Sequence, residues 1–199
     1  MRKGITAFFG MIAGFVLLVI AFLGPWYAIN GIGSFGIDGD IDFYLTRMEA
    51  KGTLNNQVIS ISVGYANAKE NAQSLGVNID SFIVIENAMY LSVFALVAAL
   101  IAVIGIAAFV FRFGTPIIMK YFGGGFAFLT FVLALFPTIY IMNTEFIENM
   151  NGFWFSQSVL GVAWTGGPGY AWYLMILVAI IALISSASIL VKKMDLKES

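Results

Sequence analysis

The sequence predicts an all-α membrane bundle of four transmembrane helices with a small antiparallel β-sheet lobe on its extracytoplasmic side. Three observations predict this fold class: four long uncharged stretches, charges confined to the segments between and around them, and strand-like patterns in the longest connecting segment. Of the 199 residues, 60% are hydrophobic and 11% are charged, against about 25% charged residues in an ordinary soluble domain. We therefore expect one membrane domain over residues 1–199.

Each uncharged stretch is long enough to cross a bilayer as a helix. A helix rises about 1.5 Å per residue, so about 20 residues cross a hydrocarbon core of about 30 Å. The predicted spans are residues 4–24, 87–111, 121–143 and 170–191. The predicted connections are the outer loops 25–86 and 144–169 and the inner link 112–120. The first stretch exceeds the 7–15 apolar residues, roughly, of a signal peptide, so we expect an uncleaved helix.

The basic residues predict how the bundle is oriented. If the spans alternate, seven of the ten Lys and Arg residues fall on one side: Arg2, Lys3, Arg112, Lys120, Lys192, Lys193 and Lys197. Basic residues near span ends favour the cytoplasmic side, so both termini of this multi-pass cell-membrane protein are predicted to be cytoplasmic. Nine of the eleven acidic residues fall on the opposite side, where the lobe is expected to attract cations and basic partners.

Small residues recur at helical spacing within the spans. Gly10 and Gly14 lie in the first span, and Ala95, Ala98 and Ala102 lie in the second. Such residues let neighbouring helices approach closely. The favoured interpretation is packing within this chain, and the alternative is a face for self-association.

The first outer loop carries strand periodicity. Apolar and polar residues alternate over 40–49, and residues 58–63 form a second β-rich run. Residues 51–56 carry turn-forming chemistry, so an antiparallel hairpin is predicted. Residues 31–39 are glycine-rich and are expected to form a flexible or tight turn, and residues 65–75 a short helix or irregular segment.

One acidic pattern points to a calcium site. Asp38, Asp40 and Asp42 stand at positions 1, 3 and 5 of an EF-hand-like spacing that continues to Glu49 at position 12. Position 6 is Phe43, where the EF-hand turn requires glycine. The alternative is an exposed strand face, with these carboxylates in water.

Aromatic residues near both outer loops are candidate partner contacts. They are Trp26, Phe153, Trp154, Phe155 and Trp164. Aromatic side chains are enriched at membrane surfaces and in protein interfaces, so those of the second loop could anchor in the interface, pack on the hairpin or bind a partner.

The composition argues against an enzyme. The chain has no cysteine and no histidine, which removes thiolate nucleophiles, the commonest transition-metal ligand and the usual general base. The predicted spans contain no acid or base for ion coupling. We expect no catalytic residues, no cofactor and no nucleic-acid partner.

The layout resembles the claudin and peripheral myelin protein tetraspan superfamily. The residues that carry the resemblance are Gly24-Pro25-Trp26-Tyr27 at the end of the first span and Gly169-Tyr170-Ala171-Trp172 at the start of the fourth. The chain lacks that family's Gly-Leu-Trp element and cysteine pair, and Glu86 lies near the family's basic position. The resemblance implies an antiparallel sheet built from the outer loops, and adhesion, barrier formation or an accessory role.

The function predicted from the sequence is therefore non-enzymatic. The leading hypothesis is a membrane scaffold, adhesion or accessory protein whose outer loops bind a protein partner or a second copy. The alternative is an integral subunit of a larger transporter or respiratory complex with its chemistry on other chains. A homo-oligomeric channel is a weaker alternative, because no charged ring lies within the spans.

Overall fold

The fold is that of a computed structural model, which describes residues 2–33, 38–54, 57–74, 80–142, 152–159 and 162–191. Four helices are long and apolar enough to cross a membrane, which confirms the number of predicted spans. A small antiparallel sheet accompanies them, also as predicted. The helices are α1 (Arg2–Leu23), α2 (Tyr65–Ser74), α3 (Asp80–Val110), α4 (Pro116–Met142) and α5 (Tyr170–Leu190).

Two of the long helices extend beyond the uncharged stretches. α3 begins at Asp80 and has 31 residues, which gives it a length of about 46 Å. α4 begins at Pro116, a residue suited to the first helical position because that position needs no backbone donor. The charged residues therefore mark where these helices enter polar surroundings, and they do not mark where the helices begin. As a result Lys120, predicted to lie in the link, is buried in the second turn of α4.

The four long helices pack in the cyclic order α1, α3, α4, α5, each against two neighbours. Small residues allow these helices to approach each other closely, as predicted. A methyl group on Gly10 would lie 3.1 Å from the Ser185 hydroxyl of α5, and one on Gly123 only 2.6 Å from the backbone nitrogen of Ile106 in α3. Polar side chains also join neighbours, since the Ser186 hydroxyl donates to the Gly124 carbonyl at 2.9 Å.

The sheet has six described strands, all antiparallel. They are β1 (Tyr27–Gly33), β2 (Asp38–Phe43), β3 (Arg47–Leu54), β4 (Gln57–Gly64), β5 (Phe155–Val159) and β6 (Val162–Pro168). Their order across the sheet is β4-β3-β2-β1-β6-β5. Both long connecting segments contribute strands, and they meet where β1 pairs with β6.

The predicted continuous strand over 40–49 is wrong, because the chain turns within it. β2 ends at Phe43 and β3 starts at Arg47, and the Tyr44 amide donates to the Arg47 carbonyl at 2.9 Å. Leu45, in the turn, is fully buried. Burial of Leu45 in the core therefore outweighs continuation of the alternating pattern. The hairpin predicted farther along is present as β3 and β4, and residues 65–74 form the helix α2.

The sequence patterning did not predict three of the strands, namely β1, β5 and β6, although the resemblance implied a sheet drawn from both outer loops. Two of them, β1 and β6, contain glycines, and because glycine is usually depleted in strands, their sequences did not indicate strands. Gly31 pairs with Trp164, whose ring lies so close that a methyl group on Gly31 would be 2.5 Å from it. Gly166 is covered in the same way by the ring of its partner Phe155. Aromatic rings lying over strand glycines supply the packing that the glycines lack.

Backbone hydrogen bonds fasten the sheet to one end of the bundle. The Trp26 amide donates to the Phe43 carbonyl at 2.7 Å, and the Gly169 amide donates to the Trp26 carbonyl at 2.9 Å. The indole of Trp26 donates back to the Ala21 carbonyl of α1 at 3.0 Å. The end of α1, the start of α5 and the central strand β1 therefore form one hydrogen-bonded junction.

Candidate interaction surface

The sheet projects from the bundle with its strands leading away from it. One row across the sheet joins Val63, Met48, Phe43, Tyr27 and Pro168. This row lies at the bundle, because Tyr27 follows α1 closely and Pro168 precedes α5. The opposite ends of β1 and β4 are five to six residues away, so the sheet extends about 20 Å from the bundle.

Register places all six charged side chains of the strands on one face, which we call the charged face. They are Asp38, Asp40, Asp42, Arg47, Glu49 and Lys51. The partners of the acidic residues confirm the arrangement, since Asp40 pairs with Lys51 and Asp42 pairs with Glu49. The other face, which we call the apolar face, carries none of these charges.

The charged face is partly neutralised within the chain. The Arg47 guanidinium lies 2.7 Å from one Glu49 oxygen, and the Lys51 ammonium lies 3.8 Å from the other. The hydrogen bond from Arg47 lowers the pKa of Glu49. Burial raises the pKa of Asp42, as do the neighbouring Asp40 and Glu49 carboxylates, while Lys51 opposes them.

The calcium site at Asp38, Asp40 and Asp42 stays a prediction. The three residues alternate along β2 on the charged face, where Asp38 and Asp40 are exposed and Asp42 is partly buried. Residues two apart on a strand are about 6.8 Å apart, so a strand alone does not gather their carboxylates. Within the described parts of the chain, no group of three acidic side chains is placed to hold a metal ion.

The apolar face packs against the bundle through Tyr27. Its side chain is 1% exposed, and its hydroxyl donates to the Phe153 carbonyl at 3.1 Å. The Phe153 ring in turn lies 5.3 Å from that of Trp172 in α5. Burial raises the pKa of Tyr27 to about 12. The sheet and bundle therefore share one core at this end.

The five candidate aromatic contacts fall into two groups. Trp26 and Phe153 are buried, while Phe155 and Trp164 are half-buried over strand glycines. Packing within the chain therefore accounts for these four. Trp154 differs, because its side chain is 61% exposed, and it alone of the five can meet a partner without rearrangement.

Three exposed apolar side chains lie together on the edge strand β4. Val58 is 76% exposed, Ile59 is 51% exposed and Ile61 is 56% exposed. Among the described elements, only β3 pairs with this strand, so the other edge of β4 offers unpaired backbone groups. We call the segment Gln57–Gly64, with this free edge, the β4 edge.

The β4 edge lacks the protection that natural edge strands carry. Edges are usually shortened, bulged or given charges and prolines, which prevents them from pairing with other chains. β4 has eight residues, all of them in register with β3, and none is charged or proline. Sequence analysis identified the strand but did not identify this edge as a binding site. The signal was the absence of charge over residues 57–64.

The geometry of this surface is suited to binding an added strand. A free strand edge recognises an added strand through backbone hydrogen bonds, and pockets for alternate side chains give selectivity. No protein-family model matches this chain, and no curated protein sequence matches it at a significant level.

Proposed function

We propose that this protein is a non-enzymatic membrane scaffold or adhesion protein whose sheet binds a protein partner by strand addition. The β4 edge is the observation that carries the proposal. Three of its four aliphatic side chains are exposed, its eight residues are uncharged and its outer edge pairs with no described strand. A protein chain is the partner that supplies both backbone hydrogen bonds and apolar side chains.

The sheet is proposed to lie on the extracytoplasmic side, with both termini in the cytoplasm. The supporting observation is the distribution of basic residues. The link between α3 and α4 lies at the end of the bundle opposite the sheet and has Arg112 and Lys120 beside it. The resemblance to the claudin superfamily agrees with this orientation, because it implies a sheet drawn from both outer loops.

The proposal is tested by the mass of the purified protein. After gentle detergent extraction, we expect the wild-type chain in a complex heavier than its own 21.6 kDa. Ile61→Lys places a charge on the β4 edge and should dissociate the complex. Ile32→Lys is the matched control, because Ile32 is 70% exposed on β1, away from that edge, and this variant should keep the complex.

Two results would contradict this function. One is a wild-type monomer that retains no other chain at physiological salt. The other is a complex that survives Ile61→Lys but is lost on substitution of residues in the lipid-facing surface of the helices. The second result would favour an integral subunit held within the membrane.

A further inference from the structure

We propose that the partner of the β4 edge is the β4 edge of a second copy of this chain, held in a facing membrane and running antiparallel. This inference rests on the proposed function, because it names the partner of the same edge. Three features carry it: the side-chain order along β4, the placement of the nearby charges and the direction of the strand.

The sequence of β4 is complementary to itself when the strand is reversed. Centred on Ser60, an antiparallel pair places Ile59 opposite Ile61 of the second copy, and Ser60 opposite its own equivalent. The two Ile59–Ile61 pairs then lie on one face, while Ser60 and the Val58–Ser62 pairs lie on the other, and apolar cross-strand pairs of the first kind stabilise a sheet. The contact uses the same segment on both copies, which is the rule for a two-fold symmetric interface.

The charges nearest this edge do not oppose self-pairing. They belong to β3, where Arg47 and Lys51 both contact Glu49 of the same copy. In the pair, each β3 would be three strand spacings from its equivalent, or about 14 Å. That separation exceeds the screening length of about 8 Å at physiological ionic strength. Self-pairing thus brings no like charges together at short range.

The direction of β4 selects facing membranes. β4 runs toward the bundle, since Val63, near its end, lies in the row beside the bundle. Two copies in one membrane share an orientation, so their β4 strands run in the same direction. Antiparallel pairing requires opposite directions, which copies in two facing membranes provide. The pair would bring the membranes together across a gap comparable to the height of the sheet.

The first experiment uses the absence of cysteine from the chain. Ser60→Cys places one thiol at the centre of the proposed pair, and Ser156→Cys places one on β5, an exposed strand at the opposite edge. Oxidation in detergent, where no bilayer fixes orientation, should give a disulfide dimer with Ser60→Cys. Directly opposed strand residues lie within disulfide range. Ser156→Cys should stay monomeric.

The second experiment tests for facing membranes. Two vesicle populations with different lipid dyes, both carrying the wild-type protein, should cluster and show energy transfer between dyes. Ile61→Lys should abolish clustering, and Ile32→Lys should retain it. Because Ile61 is 56% exposed, its replacement removes little from the core, and a helical circular dichroism spectrum checks that the variant is folded.

The outcomes separate this inference from the function on which it rests. A different chain bound to the wild type and released by Ile61→Lys, without a Ser60→Cys dimer, overturns self-pairing and leaves the function intact. Cross-linking within vesicles that do not cluster overturns the facing-membrane arrangement. Equal cross-linking from both cysteine variants shows random collision and overturns the proposal. A monomer without any bound chain overturns both.

Discussion

The three consecutive glycines of α4, residues 123–125, show that the role of a residue depends on which neighbouring helix it faces. Gly123 faces the backbone of α3, Gly124 faces Leu190 of α5, and a methyl group on Gly125 would have no neighbour within 4 Å. The sequence predicted only that small residues at helical spacing mark helix packing. The sequence did not show which of the three glycines is packed against a helix, because that depends on where α3 and α5 lie.

Gly123→Ala should destabilise the bundle, and Gly125→Ala should not. The methyl group added at residue 123 would clash with the backbone of α3, and overpacking of this kind lowers the free energy of unfolding by about 1–3 kcal/mol. The second only replaces a helix-interior glycine, which should stabilise by about 0.5–1 kcal/mol. Unfolding midpoints in detergent would measure both. Equal midpoints for the two variants would show that α3 and α4 are not in close contact.

Tyr27 should make stability depend on pH in the alkaline range. The folded state holds its phenolic proton up to a pKa of about 12, whereas an unfolded tyrosine ionises near pH 10, roughly. The stabilisation that protonated Tyr27 contributes is therefore fully present below about pH 10 and is lost as the pH rises toward 12. Tyr27→Phe should show a shallower fall over this range. An equally steep fall in the variant would assign the effect to other groups.

At the scale of elements, α2 is held to the bundle by a polar contact. The ammonium of Lys69 in α2 bonds to the carboxylate of Glu86 in α3, and both side chains are only partly exposed. Glu86 directly precedes the predicted second span, which begins at residue 87. Its partner, 17 residues earlier in the chain, could not be predicted without the position of α2.

Breaking this contact should loosen α2 and leave the sheet intact. A double-mutant cycle with Lys69→Met and Glu86→Gln should give a coupling of about 0.5–1 kcal/mol, and high salt should reduce it. Hydrogen exchange over residues 65–74 would report the loosening. The exchanged pair Lys69→Glu with Glu86→Lys should restore protection. If exchange there is unchanged in both single variants, the contact does not hold α2.

The strands show which elements the sequence can predict. The alternating pattern over residues 40–49 identified most of β2 and the start of β3, and the β-rich run over residues 58–63 identified β4. Residues 51–54, predicted to lie in a turn, belong to β3. β1 and β6 carry glycines, whose packing comes from Trp164 and Phe155 on neighbouring strands. A pattern read along one segment cannot show a ring contributed by another. The prediction of a continuous strand over residues 40–49 was wrong for a related reason. Whether Leu45 is buried in the core depends on the tertiary structure, which the local pattern does not show.

At the scale of the whole molecule, the number of spans and the presence of a sheet were predictable because both depend on composition and period. The resemblance implied a sheet drawn from both outer loops, but the pairing of β1 with β6 was not predictable from patterning, because the two strands are separated by more than 120 residues. The binding edge was not predicted either, since an edge exists only once the strand order is known. The calcium prediction and the resemblance to claudins stay untested.

The orientation of the molecule can be checked with thiol reagents, because the chain carries no cysteine of its own. Ser60→Cys in the sheet should react in intact cells with a reagent that does not cross membranes. Thr115→Cys, exposed in the link between α3 and α4, should react only after permeabilisation. The reverse pattern would place the sheet in the cytoplasm and remove the basis for adhesion.

The central pairing of β1 with β6 also constrains how the protein is made. β1 leaves the ribosome early, whereas β6 emerges just before the last long helix, so one edge of β1 stays open through most of synthesis. Contacts so distant along the chain form late and slowly. During that interval β1 exposes an unpaired edge to other nascent chains. The sheet is therefore complete only once the segment just before the fourth long helix has been made, and until then one edge of β1 has no partner.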